Sequence, residues 1–172
     1  MMSGRKENFK DNNPMKKMIM LSVLISLNGW AKSDLSLKPF ETDYCTAYVE
    51  GTRAQPNLWK HCCEEHDLYF WAGGSLDDRK TTDLRLKTCV EKTGAKTQAA
   101  LIYAAVSIGG SSPIRFKTKQ WGNSWSERKR YLSLSEIETA AIIQYLETHN
   151  FELSLQRKQS FKEQLHSRLD SK

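Results

Sequence analysis

The sequence predicts a mainly α fold built around two antiparallel helices that meet at Gly73-Gly74. Three observations point there. Segments of helical length are punctuated by glycines at Gly73-Gly74, Gly94 and Gly109-Gly110. A serine followed three residues later by an acidic residue, a helix-start pattern, occurs as Ser75/Asp78 and as Ser135/Glu138. Finally, two chemically matched pairs, Cys62 with Cys89 and His66 with Asp83, are both centred near residue 75. Residues that face each other across an antiparallel helix pair share a common midpoint, so both pairs imply one register.

The bulk composition bounds the function classes. At 172 residues, 39% hydrophobic and 27% charged, the chain suits one globular domain and carries no repeats. The net charge of +6 is split evenly. Residues 1–31 hold Arg5, Lys6, Lys10, Lys16 and Lys17 against Glu7 and Asp11, a net of +3, and the remainder also carries +3. That surplus is too thin for nucleic-acid binding; it suits a solvated surface and is compatible with an anionic membrane.

Taken in order, the N-terminus reads as an export signal over residues 1–31. Lys16 and Lys17 precede an apolar run from Met18 to Leu27 that ends near Asn28-Gly29-Trp30-Ala31. The run is shorter than the ~20 residues that a membrane span needs. Met15 opens the pattern and is an alternative start. A periplasmic or secreted domain over residues 32–150 follows. It begins with polar chain and a loop from Asp43 to Pro56. Asn57 is placed to cap a helix over Leu58 to Trp71, stopped by Gly73-Gly74. Ser75 starts a second helix that reaches about Glu91 and closes near Gly94. Ala95 to Ile108 forms an apolar third helix, ended by Gly109-Gly110-Ser111-Ser112-Pro113. Residues 114–131 are basic and aromatic, with Trp121 to Trp125 in a loop or short strands. Ser135 starts a helix to about Thr148. Residues 151–172 form a charged tail with Phe161, Leu165 and Leu169 at helical spacing, which leaves packing, partner binding or fraying open.

The four cysteines, Cys45, Cys62, Cys63 and Cys89, read as two disulfides in an exported protein. A bridge between the neighbours Cys62 and Cys63 is geometrically strained, which leaves two pairings. The helix-pair register favours Cys62–Cys89 and leaves Cys63 for Cys45. It also carries the Asp83 carboxylate to the His66 ring. A histidine oriented by a carboxylate is a general base. Asp67 points about 100° away around the same helix and is free for another task. A hard cation such as calcium takes carboxylate and carbonyl oxygens, and a loop clamped by Cys45 could offer both beside Asp67. The ion would polarise an ester carbonyl while His66 activates water. There is no G-x-S-x-G serine elbow.

The run Cys62-Cys63-Glu64-Glu65-His66-Asp67 resembles the Cys-Cys-x-x-His-Asp signature of the calcium-dependent phospholipase A2 superfamily. Asp83 lies six residues before Cys89, the spacing of that family's second aspartate. Pro56 to Trp59, Gly73-Gly74 and Trp121-Gly122 are similar to a bacterial branch. The likeness covers residues 43–90 and extends to about 131. It implies a phospholipase A2-like fold and hydrolysis of a phospholipid acyl ester, at sn-2, at a membrane surface by a monomer. His66 and Asp83 would be the catalytic pair. Asp67, with the backbone carbonyls of Tyr44, Thr46 and Tyr48, would hold calcium. Two departures stand out. The glycines that follow the family's loop cysteine are replaced by Thr46-Ala47-Tyr48, with Gly51 the nearest glycine. Phe70 occupies the place of a tyrosine, removing a hydroxyl that would bind the orienting aspartate.

Blander readings compete. A lone helical histidine is usually structural, and His61 is expected to be a surface residue. Zinc on Cys45, Cys62, Cys63, His66 and Cys89 is possible because Cys63-x-x-His66 has ligand spacing, although His61 and His66 miss the metalloprotease patterns. Trp59, Trp71, Trp121 and Trp125 are expected in the core before an acyl channel. The competing function is a non-catalytic module that binds lipid or protein on the same scaffold.

Overall fold

The first helix of the computed structural model, α1 (Lys60–Ala72), is the element that its other helices surround. The structure describes residues 35–46, 48–109, 120–126, 131–151 and 153–170. The export signal expected over residues 1–31, the helix stop at Gly110 to Pro113 and parts of the 114–131 segment lie outside them. The described residues contain five helices and no strand. After α1 come α2 (Leu76–Lys92), α3 (Lys96–Gly109), α4 (Glu136–Thr148) and α5 (Leu155–Asp170). The mainly α class therefore holds. No described helix is long and apolar enough to cross a membrane.

Both serine caps form as full capping boxes. Ser75 accepts from the Asp78 amide while Asp78 accepts from the Ser75 amide, and Ser135 and Glu138 do the same. Each box satisfies two backbone donors that a helix start leaves without partners. The start of α1 departs from expectation. Asn57 is exposed and caps nothing; the helix begins at Lys60, with Trp59 at the N-cap and no side-chain cap. Long-range contacts decide this. The Trp59 amide donates to Glu50 and its indole to Val49, which pins the residue before the first turn. Gly51 allows this loop to close, since a Cβ there would overlap the backbone of Gln55 and Pro56.

Helix α1 divides the core in two. One face carries Cys62 and Cys63 into a cluster with Trp59, Cys45, Leu86, Val90, Ala99 and Ile102, next to α2 and α3. The other sends Leu68, Tyr69, Trp71 and Ala72 into a cluster with Phe40, Trp121, Trp125, Ile142 and Leu146. Leu153, Phe161 and Leu165 complete this second cluster, so the charged C-terminal segment packs. Tyr69 donates to Gln164 across 95 positions, at 2.7 Å, and Arg157 pairs with Glu64 and Glu65.

The Trp121–Trp125 segment is a turn that closes the C-terminus of α1. Gly122 and Ser124 amides donate to the carbonyls of Phe70 and Trp71, and the Trp125 and Trp121 indoles donate to Ala72 and Gly74. Helix-end carbonyls lacking intrahelical partners are thus satisfied from 47 or more positions away. Gly122 takes φ 74°, a left-handed conformation that glycine adopts without cost. The four tryptophans among the described residues, Trp59, Trp71, Trp121 and Trp125, are buried and their indoles donate to backbone, which favours the core reading over an acyl channel.

Candidate active site

The site is built from the register of α1 and α2. Cys62 and Cys89 are bridged with Cα atoms 5.7 Å apart, and Cys45 and Cys63 with Cα atoms 5.0 Å apart, the pairing that the register favours. No cysteine is free. This removes the zinc reading, because every thiolate it needs is in a disulfide. Closing loops of these lengths stabilises the fold by about 3 kcal/mol each in the chain-entropy picture.

One turn along α1 from Cys62, the His66 Nε2 lies 2.9 Å from Asp83 Oδ1. Both residues are buried, at 8% and 3% exposure, so this contact is not a passing surface pairing. Asp83 is the acceptor, which puts the proton on Nε2 and leaves the Nδ1 lone pair available. Phe70 packs against the imidazole at 4.5 Å, its plane tilted by 32°, and is itself braced edge-on by Trp121 at 5.1 Å. The ring is fixed by a carboxylate on its edge and an aromatic on its face.

Asp67 turns away from α2 and meets the preceding loop. Its Oδ2 accepts from the Thr42 hydroxyl at 2.6 Å, and that hydroxyl accepts from the Tyr44 amide at 3.0 Å. Burial pushes the Asp67 carboxyl up to about 7; Thr42 opposes this, the Glu64 charge adds to it, and the Tyr44 amide opposes it. Among the described residues no cation pairs with it. An oxygen-rich corner whose half-buried carboxylate has no cation paired with it among the described residues fits a hard cation such as calcium. Tyr44 and Thr46 sit on either side of Cys45 with φ of 58° and 29°, conformations that glycine would take freely. For residues with side chains this costs roughly 1–2 kcal/mol each. Lys60 braces the strained Tyr44, its ammonium 3.7 Å from the ring centroid. Thr46 is exposed and donates to Asp43, while the Tyr48 amide donates to the Cys45 carbonyl. The structure therefore joins Asp67 to Tyr44 and Thr42. It connects Thr46 and Tyr48 to the same turn through Asp43 and Cys45, not through Asp67.

Sequence reasoning missed two residues here. Thr42 carries no motif. Arg79 sits one helical turn before Asp83, a spacing that brings side chains together on α2 and could have flagged it. Its Nη2 lies 3.5 Å from Asp83 Oδ2, so both carboxylate oxygens are occupied. His61 is half-buried, not a plain surface residue; its Nε2 is 3.4 Å from Cys62 Sγ. Burial and then Arg157 lower its pKa against the opposing Glu65. A surface groove of about 530 Å³, lined by Tyr48 to Arg53 and Pro56, lies beside the loop and includes neither His66 nor Asp83.

No protein-family model matches this chain, and no curated protein or solved structure matches it either. What the site can do therefore rests on its own groups. A buried histidine held by a carboxylate can accept a proton, and an adjacent half-buried carboxylate facing a backbone turn can hold a cation.

Proposed function

We propose that this chain is a calcium-dependent hydrolase of phospholipid acyl esters, exported and acting as a monomer at a membrane surface, with a phospholipase A2-like arrangement of α1, α2 and the preceding loop. The observation that carries this reading is the 2.9 Å contact between His66 and Asp83, one turn from the Cys62–Cys89 bridge. His66 Nδ1 takes a proton from water as its oxygen attacks the acyl carbon. Asp83 holds the ring and stabilises the imidazolium. Collapse of the tetrahedral species returns that proton to the departing alcohol oxygen, so free fatty acid and lysophospholipid leave together. Asp67 would be the charged calcium ligand, with the Tyr44, Thr46 and Tyr48 carbonyls as its neutral companions. When bound, calcium supplies Lewis-acid polarisation of the ester carbonyl. The two disulfides agree with an oxidising compartment. Fatty-acid release from mixed phospholipid vesicles tests the reading: turnover should need calcium and vanish in His66→Gln.

The Thr42 hydroxyl on Asp67 favours a second reading, a non-catalytic module that binds lipid or protein. Vesicle binding without hydrolysis at any calcium level, unchanged by substitutions at His66, Asp67 and Asp83, would establish it.

A further inference from the structure

We infer that Arg79 is a positioning residue of the site: it locks the Asp83 carboxylate in the orientation that fixes the His66 ring, and it links that carboxylate to the C-terminal end of α3. The inference rests on the general-base reading of His66.

Arg79 is 4% exposed and lies one turn before Asp83 on α2. Its Nη2 approaches Asp83 Oδ2 at 3.5 Å and donates to the carbonyls of Val106 at 3.0 Å and Ser107 at 3.3 Å. Those carbonyls belong to the last turn of α3, where the helix presents partial negative charge. One guanidinium thus bridges a carboxylate and a helix end, both of which attract it. Its Nε is buried with no hydrogen-bond partner among the described residues. Burying an arginine without satisfying every donor is costly, and a residue serving only to staple α2 to α3 needs no charge there. The Phe70 ring, 6.0 Å from the Arg79 guanidinium carbon, also packs against His66, so these residues form one packed unit.

The geometry has a consequence. A carboxylate gripped at one oxygen alone can rotate about its terminal bond, whereas Asp83 is held at Oδ1 by His66 and at Oδ2 by Arg79. Rotation would remove the acceptor facing Nε2 and release the tautomer.

The test is the tautomer of His66, read from side-chain ¹⁵N shifts in the intact, disulfide-bonded protein at pH 8. Wild type should show the Nε2–H form. Arg79→Met should shift the ring towards a mixture of the two tautomers. Arg79→Lys, which keeps the charge but loses the guanidinium that reaches both Asp83 and the α3 carbonyls, should fall between them. Turnover on calcium-loaded vesicles should drop about tenfold in Arg79→Met with little change in KM, the scale on which supporting partners act. If Arg79→Met folds and the His66 shifts stay as in wild type, Arg79 only staples the helices and the inference fails. Should Arg79→Met not fold, wild-type shifts in Arg79→Lys overturn it equally. Asp83→Asn separates the underlying reading: if it too leaves His66 unmoved, the His66–Asp83 pair itself is wrong.

Discussion

The two faces of α1 are held by different physics. Towards α2 lie the Cys62–Cys89 bridge, a buried His66–Asp83 pair, Arg79 and a few aliphatic side chains such as Leu86 and Val90, while the Cys45–Cys63 bridge ties the preceding loop to α1. Towards α4 and α5, it is an aromatic and aliphatic core of Phe40, Trp71, Trp121, Trp125, Leu146, Phe161 and Leu165. A helix pair that must keep three ionisable groups buried has little apolar surface left to hold it together. Covalent closure supplies what burial cannot. The opposite face keeps its ion pairs, Arg157 with Glu64 and Glu65, beside a larger apolar core, and packing at about 25 cal/mol per Å² buried dominates there. Chemistry and stability are thereby separated onto two sides of one helix, and each side can be perturbed with the other as control.

The largest effect is expected on the chemical side. His66→Gln should lower vesicle hydrolysis by ~10²–10⁴-fold in a protein that still folds, since the proton acceptor is lost while the amide can still donate to Asp83. Retained turnover would remove His66 from the mechanism. On the packing side, Phe161→Ala should cost about 3–5 kcal/mol in denaturant unfolding, because it empties a buried aromatic site against Tyr69. The same contacts make α5 part of the core, so truncation after Phe151 should destabilise the fold that carries the site. A truncated protein as stable as the full chain would show α5 to be an ornament.

Removing the Cys62–Cys89 bridge as a double alanine variant should cost about 3 kcal/mol. It should weaken the His66–Asp83 contact more than the aromatic face, measured as faster amide exchange in α2 than in α4.

Asp67 yields a pH effect of definite sign. Its folded pKa of about 7 exceeds the ordinary 3.8, so between those values the folded chain keeps a proton that the unfolded chain releases. Its stability contribution is fully present below 3.8 and is lost as pH rises through about 7. Metal-free protein should therefore melt progressively lower from pH 4 to pH 8. Calcium should restore the melting temperature at pH 8 more than at pH 5, since the ion binds the ionised carboxylate. Asp67→Asn should flatten both trends. A calcium response that survives Asp67→Asn would move the cation elsewhere.

The smallest expected difference compares two helix starts. Ser75→Ala should cost about 1 kcal/mol by deleting a formed cap. Asn57→Ala should cost less than about 0.5 kcal/mol, the usual range for an exposed site with no special contact. An equal loss at both would restore Asn57 as a cap.

These contrasts also separate what the chain states locally from what folding decides. The caps at Ser75 and Ser135 were readable because a capping box is complete within four residues. The α1–α2 register was readable because two matched pairs share a midpoint at a glycine turn, so spacing alone placed His66 against Asp83 and paired the cysteines. The candidate cation corner was half readable: Asp67 stood in a motif, whereas its Thr42 partner lies 25 positions away in unpatterned loop. Only tertiary structure decided that α1 starts at Lys60, that Trp121 and Trp125 close its far end, and that α5 docks on Tyr69 through Gln164. Arg79 belongs to both groups, because its spacing to Asp83 is local but its grip on the carbonyls of Val106 and Ser107 is not. The physical reason is one of range. Hydrogen bonds and pairings that close within a few residues, or about a single turn, leave a pattern in the chain. Bonds between distant segments become definite only when burial brings their partners together.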